Sequence, residues 1–302
     1  MYDIIIIGCG PAGLTAAIYG LRANKKVLIL EKENIGGLIT LSPLVENYPG
    51  FKHINGMDLA NNLYEQVLDL GGLIELEEVL EIKNERIKEV ITDSNTYKTK
   101  SIIIATGSKH RLLGLPKEEE FIGNGISFCA ACDGALYEDK KIAVIGGGNT
   151  AIVTALSLSE LCKSVIVIQM LPNLTAEQTL IDRIKKKKNI ETIYNTQVKE
   201  LQGSDELTGI IVEDNNKNIK EIKLDGMFIS VGQIPQNEFL KGLIDLDKND
   251  YILSDESCFT NQEGIFVAGD CRKKKVRQLT TAVNDGTIAA IEAINYLNNK
   301  ED

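Results

Sequence analysis

The stretch DIIIIGCGPAGLTAAIYGLRANKKVLILEK, residues 3–32, decides the fold, because KIAVIGGGNTAIVTALSLSELCKSVIVIQM, residues 141–170, repeats its plan. Each copy opens on a β-branched run read as a buried parallel strand. Each then passes through a glycine turn into an Ala-rich helix and a second apolar strand. The first turn is Gly8-x-Gly10-x-x-Gly13, and in the second copy Gly146-x-Gly148-x-x-Ala151 takes the same role. Glycines at this spacing permit a tight turn and a close backbone approach to a pyrophosphate, which rests on the helix N-terminus. One such turn is a weak signal. Two, each set between a strand and a helix, predict two dinucleotide-type domains of the α/β class.

The copies differ where a nucleotide would be read. Glu31 stands 18 residues after Gly13, close to the spacing of about 20 expected for an acid that bonds a ribose hydroxyl. The same step from Ala151 reaches Gln169, followed by Met170 and Leu171. The second copy has neither an acid for NAD nor an arginine for the 2′-phosphate of NADP.

The end of the chain returns to the first domain. GIFVAGD, residues 264–270, reads as a strand closing on Gly269 and Asp270, and Val283, Ile288, Ile291 and Ile294 then recur at helical spacing. A helix starting near Thr280 would point its positive end at an electron-rich ring. IIIATGS, residues 102–108, supplies another turn. The expected architecture is two Rossmann-like domains, the second inserted into the first. Residues 1–113 and 238–302 form the discontinuous domain and 114–237 the inserted one, with crossings near RLLGLP (111–116) and VGQIPQN (231–237).

A net charge of −10 over 302 residues argues against nucleic acid as the main partner, since phosphate binding needs a basic surface. No apolar run approaches the roughly 18 residues of a membrane span. MYDIIIIGCGPAG lacks the basic region and cleavage site of a signal peptide, so a cytoplasmic location is expected. Six cysteines are too sparse for a secreted disulfide framework, and two histidines, His53 and His110, without a Cys/His cluster argue against zinc.

The reactive chemistry lies in ISFCAACDGALY, residues 126–137. Cys129 and Cys132 are spaced to close a small disulfide, and at a helix start the first thiol gains thiolate character. In a reducing cytosol such a pair is catalytic or metal-binding before it is structural, and no second pair accompanies it. Asp133 is placed to carry a proton, a role compatible with capping the helix.

Taken together, GCGPAG, the GG-x-x-T of 36–40, VENYPGF, IIIATGS, CAACDG, VIGGGNTA and AGDCRKKKVRQLTTAVNDG closely resemble the low-molecular-weight flavoprotein thioredoxin reductases along the whole chain. The resemblance implies an FAD-dependent homodimer. Cys132 would face the flavin, Cys129 would attack the disulfide of thioredoxin, and Asp133 would be the acid–base. FAD would be held by Gly8, Gly10, Gly13, Glu31, Gly37, Thr40, Asn47, Ala105, Thr106, Gly107, Asp270, Arg277 and Gln278. Leu38 stands where the family usually has glutamine near the flavin.

NADPH-dependent members read H-R-R-x-x-x-R where this chain has QMLPNLT, 169–175, so Met170, Leu171 and Thr175 replace the arginines. Val153-Thr154-Ala155 likewise replaces Glu-Glu-Ala. In this respect the chain is most similar to the ferredoxin-dependent flavin thioredoxin reductases of anaerobes, which implies reduced ferredoxin as donor. Arg272, Lys273, Lys274, Lys275 and Arg277 would be a docking face for that acidic partner, a solvated turn or a docking face for thioredoxin. Lys185 to Lys188 read as a solvated helix face. The rival readings are a nicotinamide-dependent reductase with unusual contacts, a flavin dithiol oxidase and a non-enzymatic redox sensor; Asp rather than His after Cys132 counts against the oxidase.

Overall fold

The computed structural model describes residues 1–42 and 45–301. The chain divides into two compact units, one made of Met1–Thr40, Ile54–Lys109 and Ile234–Asp302, the other of Leu41–His53 and His110–Gln233. Both crossings fall four residues before the expected ones, at Lys109/His110 and Gln233/Ile234, and one further stretch changes unit. Leu41–His53 groups with the inserted unit, where the Ser42 hydroxyl donates to Asp133 Oδ1 over 3.4 Å.

The first unit begins with β1 (Tyr2–Ile7), α1 (Pro11–Arg22) and β2 (Val27–Glu31), then α2 (Gly56–Asp69), β3 (Leu73–Leu76), β4 (Val79–Lys83), β5 (Lys88–Thr92) and β6 (Thr96–Ile104). The isoleucine run of β1 suits a strand covered on both faces, and Ile4, Ile5 and Ile6 are fully buried. Pro11 opens α1, where its missing N–H leaves no bond unmade. At the start of α2, Asn55 Oδ1 accepts the Met57 N–H at 2.8 Å, an N-cap.

The chain passes through β7 (Ser108–His110) into the inserted unit, with β8 (Ile126–Ser127), α3 (Ala130–Asp133), β9 (Lys141–Ile145), α4 (Asn149–Leu158), β10 (Ser164–Ile168), α5 (Gln178–Ile184), β11 (Ile190–Ile193), β12 (Thr196–Gly203), β13 (Leu207–Asp214), β14 (Ile219–Lys223) and β15 (Gly226–Ile229), and leaves it through β16 (Gln233–Pro235). The chain then returns to the first unit for β17 (Ile265–Val267) and α6 (Leu279–Glu301).

The first unit's sheet runs β3-β2-β1-β6-β5-β4, with β17 also paired to β6. Ile5 stands beside Leu28 on one side and Ile102 on the other, all parallel, and β17 adds Phe266 opposite Ile103. One face packs Ile4 and Ile6 against α1 and α6, and the other packs Ile5 and Ile7 against Leu240 and Ile244. The inserted unit has a parallel sheet, β11-β10-β9-β15-β8, and an antiparallel meander, β12-β13-β14. Both glycine turns follow the C-terminal end of a central parallel strand, the edge where doubly wound sheets bind ligands.

Of the apolar residues read at helical spacing on α6, Ile288 and Ile294 pack against the core. The buried residues of α6 are Asp285, Gly286, Ala289, Ala290, Ala293 and Leu297, whereas Ile291 is 42% exposed. Close approach to α1 selects small residues: a Cβ on Gly286 would stand 2.2 Å from the Ala12 carbonyl oxygen.

Candidate functional site

The first glycine turn is built by contacts only glycine allows. Gly8 has φ +108°, and a Cβ there would lie 2.3 Å from the Ala105 carbonyl oxygen, while a Cβ on Gly13 would lie 2.0 Å from that of Gly8. By contrast, a Cβ on Gly10 would meet nothing within 4 Å, so the start of α1 is open to a ligand. Glu31 reaches back from the end of β2, accepting the Cys9 N–H at 2.8 Å and the Glu33 N–H at 2.9 Å. Gly37 and Thr40 share a 3-10 turn, Gly37–Leu41, in which the Thr40 hydroxyl donates to the Gly37 carbonyl.

Ala105 extends β6 by donating its N–H to the Ile7 carbonyl at 2.7 Å, and the Thr106 hydroxyl donates to Asn237 Oδ1 at 3.0 Å. Gly107 follows in a left-handed conformation. Asp270 lies on the turn after β17. Its Oδ1 is buried and takes no hydrogen bond among the described residues. Burial pushes the Asp270 carboxyl above its usual range, against Lys274 and Arg277. Arg277 stacks over Tyr251 with its guanidinium carbon 4.2 Å from the ring centre, and its Nε donates to the Asp270 carbonyl. Gln278 precedes α6 and donates its N–H to the Thr281 hydroxyl. Asn47 is exposed in the stretch that groups with the other unit, and Leu38 is 38% exposed.

Of the five basic residues in the segment 272–277, two turn inward, Arg277 is half-buried and two face outward. Arg272 is buried against Asp285, and Lys274 bonds the same carboxylate at 2.9 Å. Only Lys273 and Lys275 are exposed, because a carboxylate on α6 draws the alternate residues inward. Lys185, Lys186 and Lys188 are exposed at the end of α5, and Lys187 pairs with Glu160.

In the inserted unit Cys129 and Cys132 form a disulfide with Cα atoms 5.3 Å apart. Cys129 caps the one-turn α3, and its carbonyl accepts the N–H groups of Cys132 and Asp133. Sequence reasoning missed Ser127. This buried hydroxyl accepts the Cys129 N–H at 3.2 Å and donates to Asp133 Oδ2 at 2.6 Å. Burial raises the Asp133 carboxyl above its ordinary range, opposed by the Ser127 and Ser42 hydroxyls. Phe128, next to Cys129, stacks on His110 with ring centres 4.1 Å apart, and burial lowers the imidazole to about 4.

At the second glycine turn Gln169 takes the place that Glu31 holds at the first, while a Cβ on Gly148 would meet only the Thr175 hydroxyl at 3.7 Å. Gln169 is 4% exposed, and a Cβ on Gly147 would meet its Nε2 at 2.2 Å. Its amide donates to the Asn173 carbonyl at 3.1 Å, and the Thr175 N–H donates to the Gly147 carbonyl at 2.8 Å. Glu177 is tied to Asn149 at the first turn of α4, setting a carboxylate at the helix end that would attract a diphosphate. Met170 and Leu171 are 63% and 45% exposed.

The first unit fits FAD. It combines an open turn at Gly10, an acid at the end of β2, and a buried carboxylate oxygen that takes no hydrogen bond among the described residues. FAD brings the matching diphosphate and hydroxyl groups. Among the described residues no cluster of His, Cys, Asp or Glu has metal-binding geometry, and no helix is long and apolar enough to cross a membrane.

Comparison with known proteins agrees with that chemistry. A protein from Clostridium pasteurianum, described as a 34.2 kDa protein in the rubredoxin operon, is 42% identical over 99% of this chain and 98% of its own. Thioredoxin reductase of Borreliella burgdorferi is 41% identical over 98% of this chain and 92% of its own. The crystal structure of thioredoxin reductase from Streptococcus pyogenes superposes with a TM-score of 0.94 at 38% identity, covering 99% of both chains. Residues 2–286 match the pyridine nucleotide-disulphide oxidoreductase family. With the family match spanning both glycine turns and the Cys129–Cys132 disulfide, the chain belongs to the pyridine nucleotide-disulphide oxidoreductases, as an FAD-binding disulfide reductase of the thioredoxin reductase type.

Proposed function

We propose that this chain reduces thioredoxin through Cys129 and Cys132, using FAD and taking its electrons from reduced ferredoxin. The observation that carries the donor assignment is Gln169, an uncharged amide turned back on Gly147 and the Asn173 carbonyl at the strand end where a nicotinamide nucleotide is read by a charged side chain. Met170, Leu171 and Thr175 offer no positive charge to a 2′-phosphate. Each missing charge-assisted hydrogen bond forgoes on the order of 1.5–3 kcal/mol. The relative described as part of a rubredoxin operon is compatible with a one-electron iron protein as partner. Thioredoxin as substrate is supported by relatives bearing that name and by the disulfide itself.

When bound, FAD accepts electrons singly from an iron–sulfur protein and delivers them in pairs to a disulfide. In this reading Glu31 holds its ribose, Asp270 a further hydroxyl, and the Gly8–Gly13 turn its diphosphate. Two electrons and two protons open the Cys129–Cys132 bond to a dithiol. The Cys129 thiolate attacks thioredoxin's disulfide, forming a mixed disulfide and releasing one thioredoxin thiolate. Cys132 then attacks Cys129, which restores the internal disulfide and releases the second thiolate. Asp133 takes the proton from Cys132 as it attacks and returns it when the disulfide is next opened. The same reading makes the chain a cytoplasmic homodimer, a mass that light scattering measures directly.

The test is anaerobic bleaching of the flavin band by NADPH, NADH and reduced ferredoxin in separate trials. Bleaching by ferredoxin alone, reversed by oxidised thioredoxin, is the expected result; rapid bleaching by either nicotinamide would overturn the donor. One observation favours the nicotinamide alternative. Ser230 Oγ is buried with no hydrogen bond among the described residues, and the Ser230 carbonyl packs on Gly146, so the second turn keeps an unused polar atom.

A further inference from the structure

Asp285, on α6, is the hub of a buried charge cluster. It accepts two bonds from Arg272, at 2.9 Å from Nε and 3.0 Å from Nη2, one from Lys274 Nζ at 2.9 Å, and one from the Gly269 N–H at 3.1 Å. The side chains of Arg272, Lys274 and Asp285 are 5%, 8% and 2% exposed. Two cations on one carboxylate leave a positive excess, and the next acid is Asp270. Lys274 Nζ stands 3.6 Å from Asp270 Oδ1.

That distance balances charge without making a hydrogen bond. A buried carboxylate with no cation nearby would protonate and lose its strength as an acceptor. One bonded directly by an ammonium would have its lone pair occupied. Here Asp285 accepts the Lys274 hydrogen bond, and Asp270 feels the ammonium's charge while Oδ1 stays open. Asp285 also fixes the turn that carries Asp270, through the Gly269 N–H, at a glycine whose φ is +81°. The close seat of Gly286 on Ala12 brings Asp285 within reach.

We infer that Lys274, held by Asp285, is a positioning residue for the cofactor: it keeps the Asp270 carboxylate charged, aimed and free to accept a hydrogen bond from a hydroxyl of FAD. This depends on FAD as cofactor and not on the electron donor, so its failure leaves the donor question untouched.

The test strips FAD from the full-length protein and titrates it back, following the quenching of flavin fluorescence. ADP is used as a competitor, since it reaches only the Gly8–Gly13 turn and Glu31. Lys274→Met is expected to weaken FAD by about tenfold or more, leave the ADP competition constant unchanged, and be rescued to within about threefold by Lys274→Arg. A structural defect would weaken ADP as well. FAD affinity within twofold of the parent in Lys274→Met, equal loss for ADP, or no rescue by arginine would each overturn the inference. If Lys274→Met fails to fold, Lys274→Gln is read by the same criteria; failure of both makes Lys274 a folding residue and also overturns it.

Discussion

Asp133 carries a tension between folding and chemistry. Burial raises its carboxyl above the ordinary 3.8 despite hydrogen bonds from Ser127 and Ser42. A raised folded value favours the protonated fold: below about pH 3.8 the carboxyl is neutral in both states, and stability is lost as pH rises through the folded value. Asp133→Asn is therefore expected to raise the thermal midpoint at pH 7 and not at pH 3.5, while lowering thioredoxin turnover roughly a hundredfold. Scanning calorimetry at the two pH values and steady-state assay check both halves. Cys129→Ser and Cys132→Ser are each expected to abolish thioredoxin turnover while the donor still bleaches the flavin. The other thiols are buried and inert, Cys9 and Cys258 being pushed up to about 12. The disulfide, with Asp133 beside it, was legible because a C-x-x-C pair closes locally. Ser127 was not, because a serine before Cys129 acquires its two bonds only when β8 delivers it to α3.

Helix α6 shows what periodicity misses. Ile288 and Ile294 reach the core while Ile291 does not, and alanines with Gly286 fill the deepest face because α6 and α1 touch backbone to backbone. The segment Arg272 to Arg277 looked like an open basic surface for a similar reason: neutralisation by Asp285, several residues on, depends on α6 folding back beside it. Gly286→Ala is expected to be destabilising by about 1–3 kcal/mol, since the Ala12 carbonyl must move. Urea unfolding measures it, and an unchanged midpoint would remove the close seat from the account. Conversely, the glycine turns and the strands around them were readable because steric needs there are local. The Ile4–Ile7 run and its partner at Ile102–Ile104 could only be a buried pair of strands.

The molecule as a whole is one dinucleotide fold interrupted by another, a plan visible in the sequence from the repeat and the late AGD turn. The path of Leu41–His53 was not visible, since its membership is decided by packing and not by pattern. Separate cores make separate unfolding events the expected behaviour. Calorimetry of the FAD-free protein should show two transitions. FAD at a hundred times its dissociation constant should stabilise one of them by about 2.7 kcal/mol and leave the other in place. A single transition that moves as a unit would contradict this.

The interruption also imposes an order on biosynthesis. β17, α6 and Asp270 emerge from the ribosome only after all of His110–Gln233 has been made, a delay on the order of ten seconds at ordinary elongation rates. Until then the nascent first unit presents the bare edge of Ile102–Ile104 and an uncovered α1, surfaces open to mispairing. Free FAD meets half a binding site in that interval, so cofactor capture belongs to the completed chain, and the inserted unit is the first part able to finish folding.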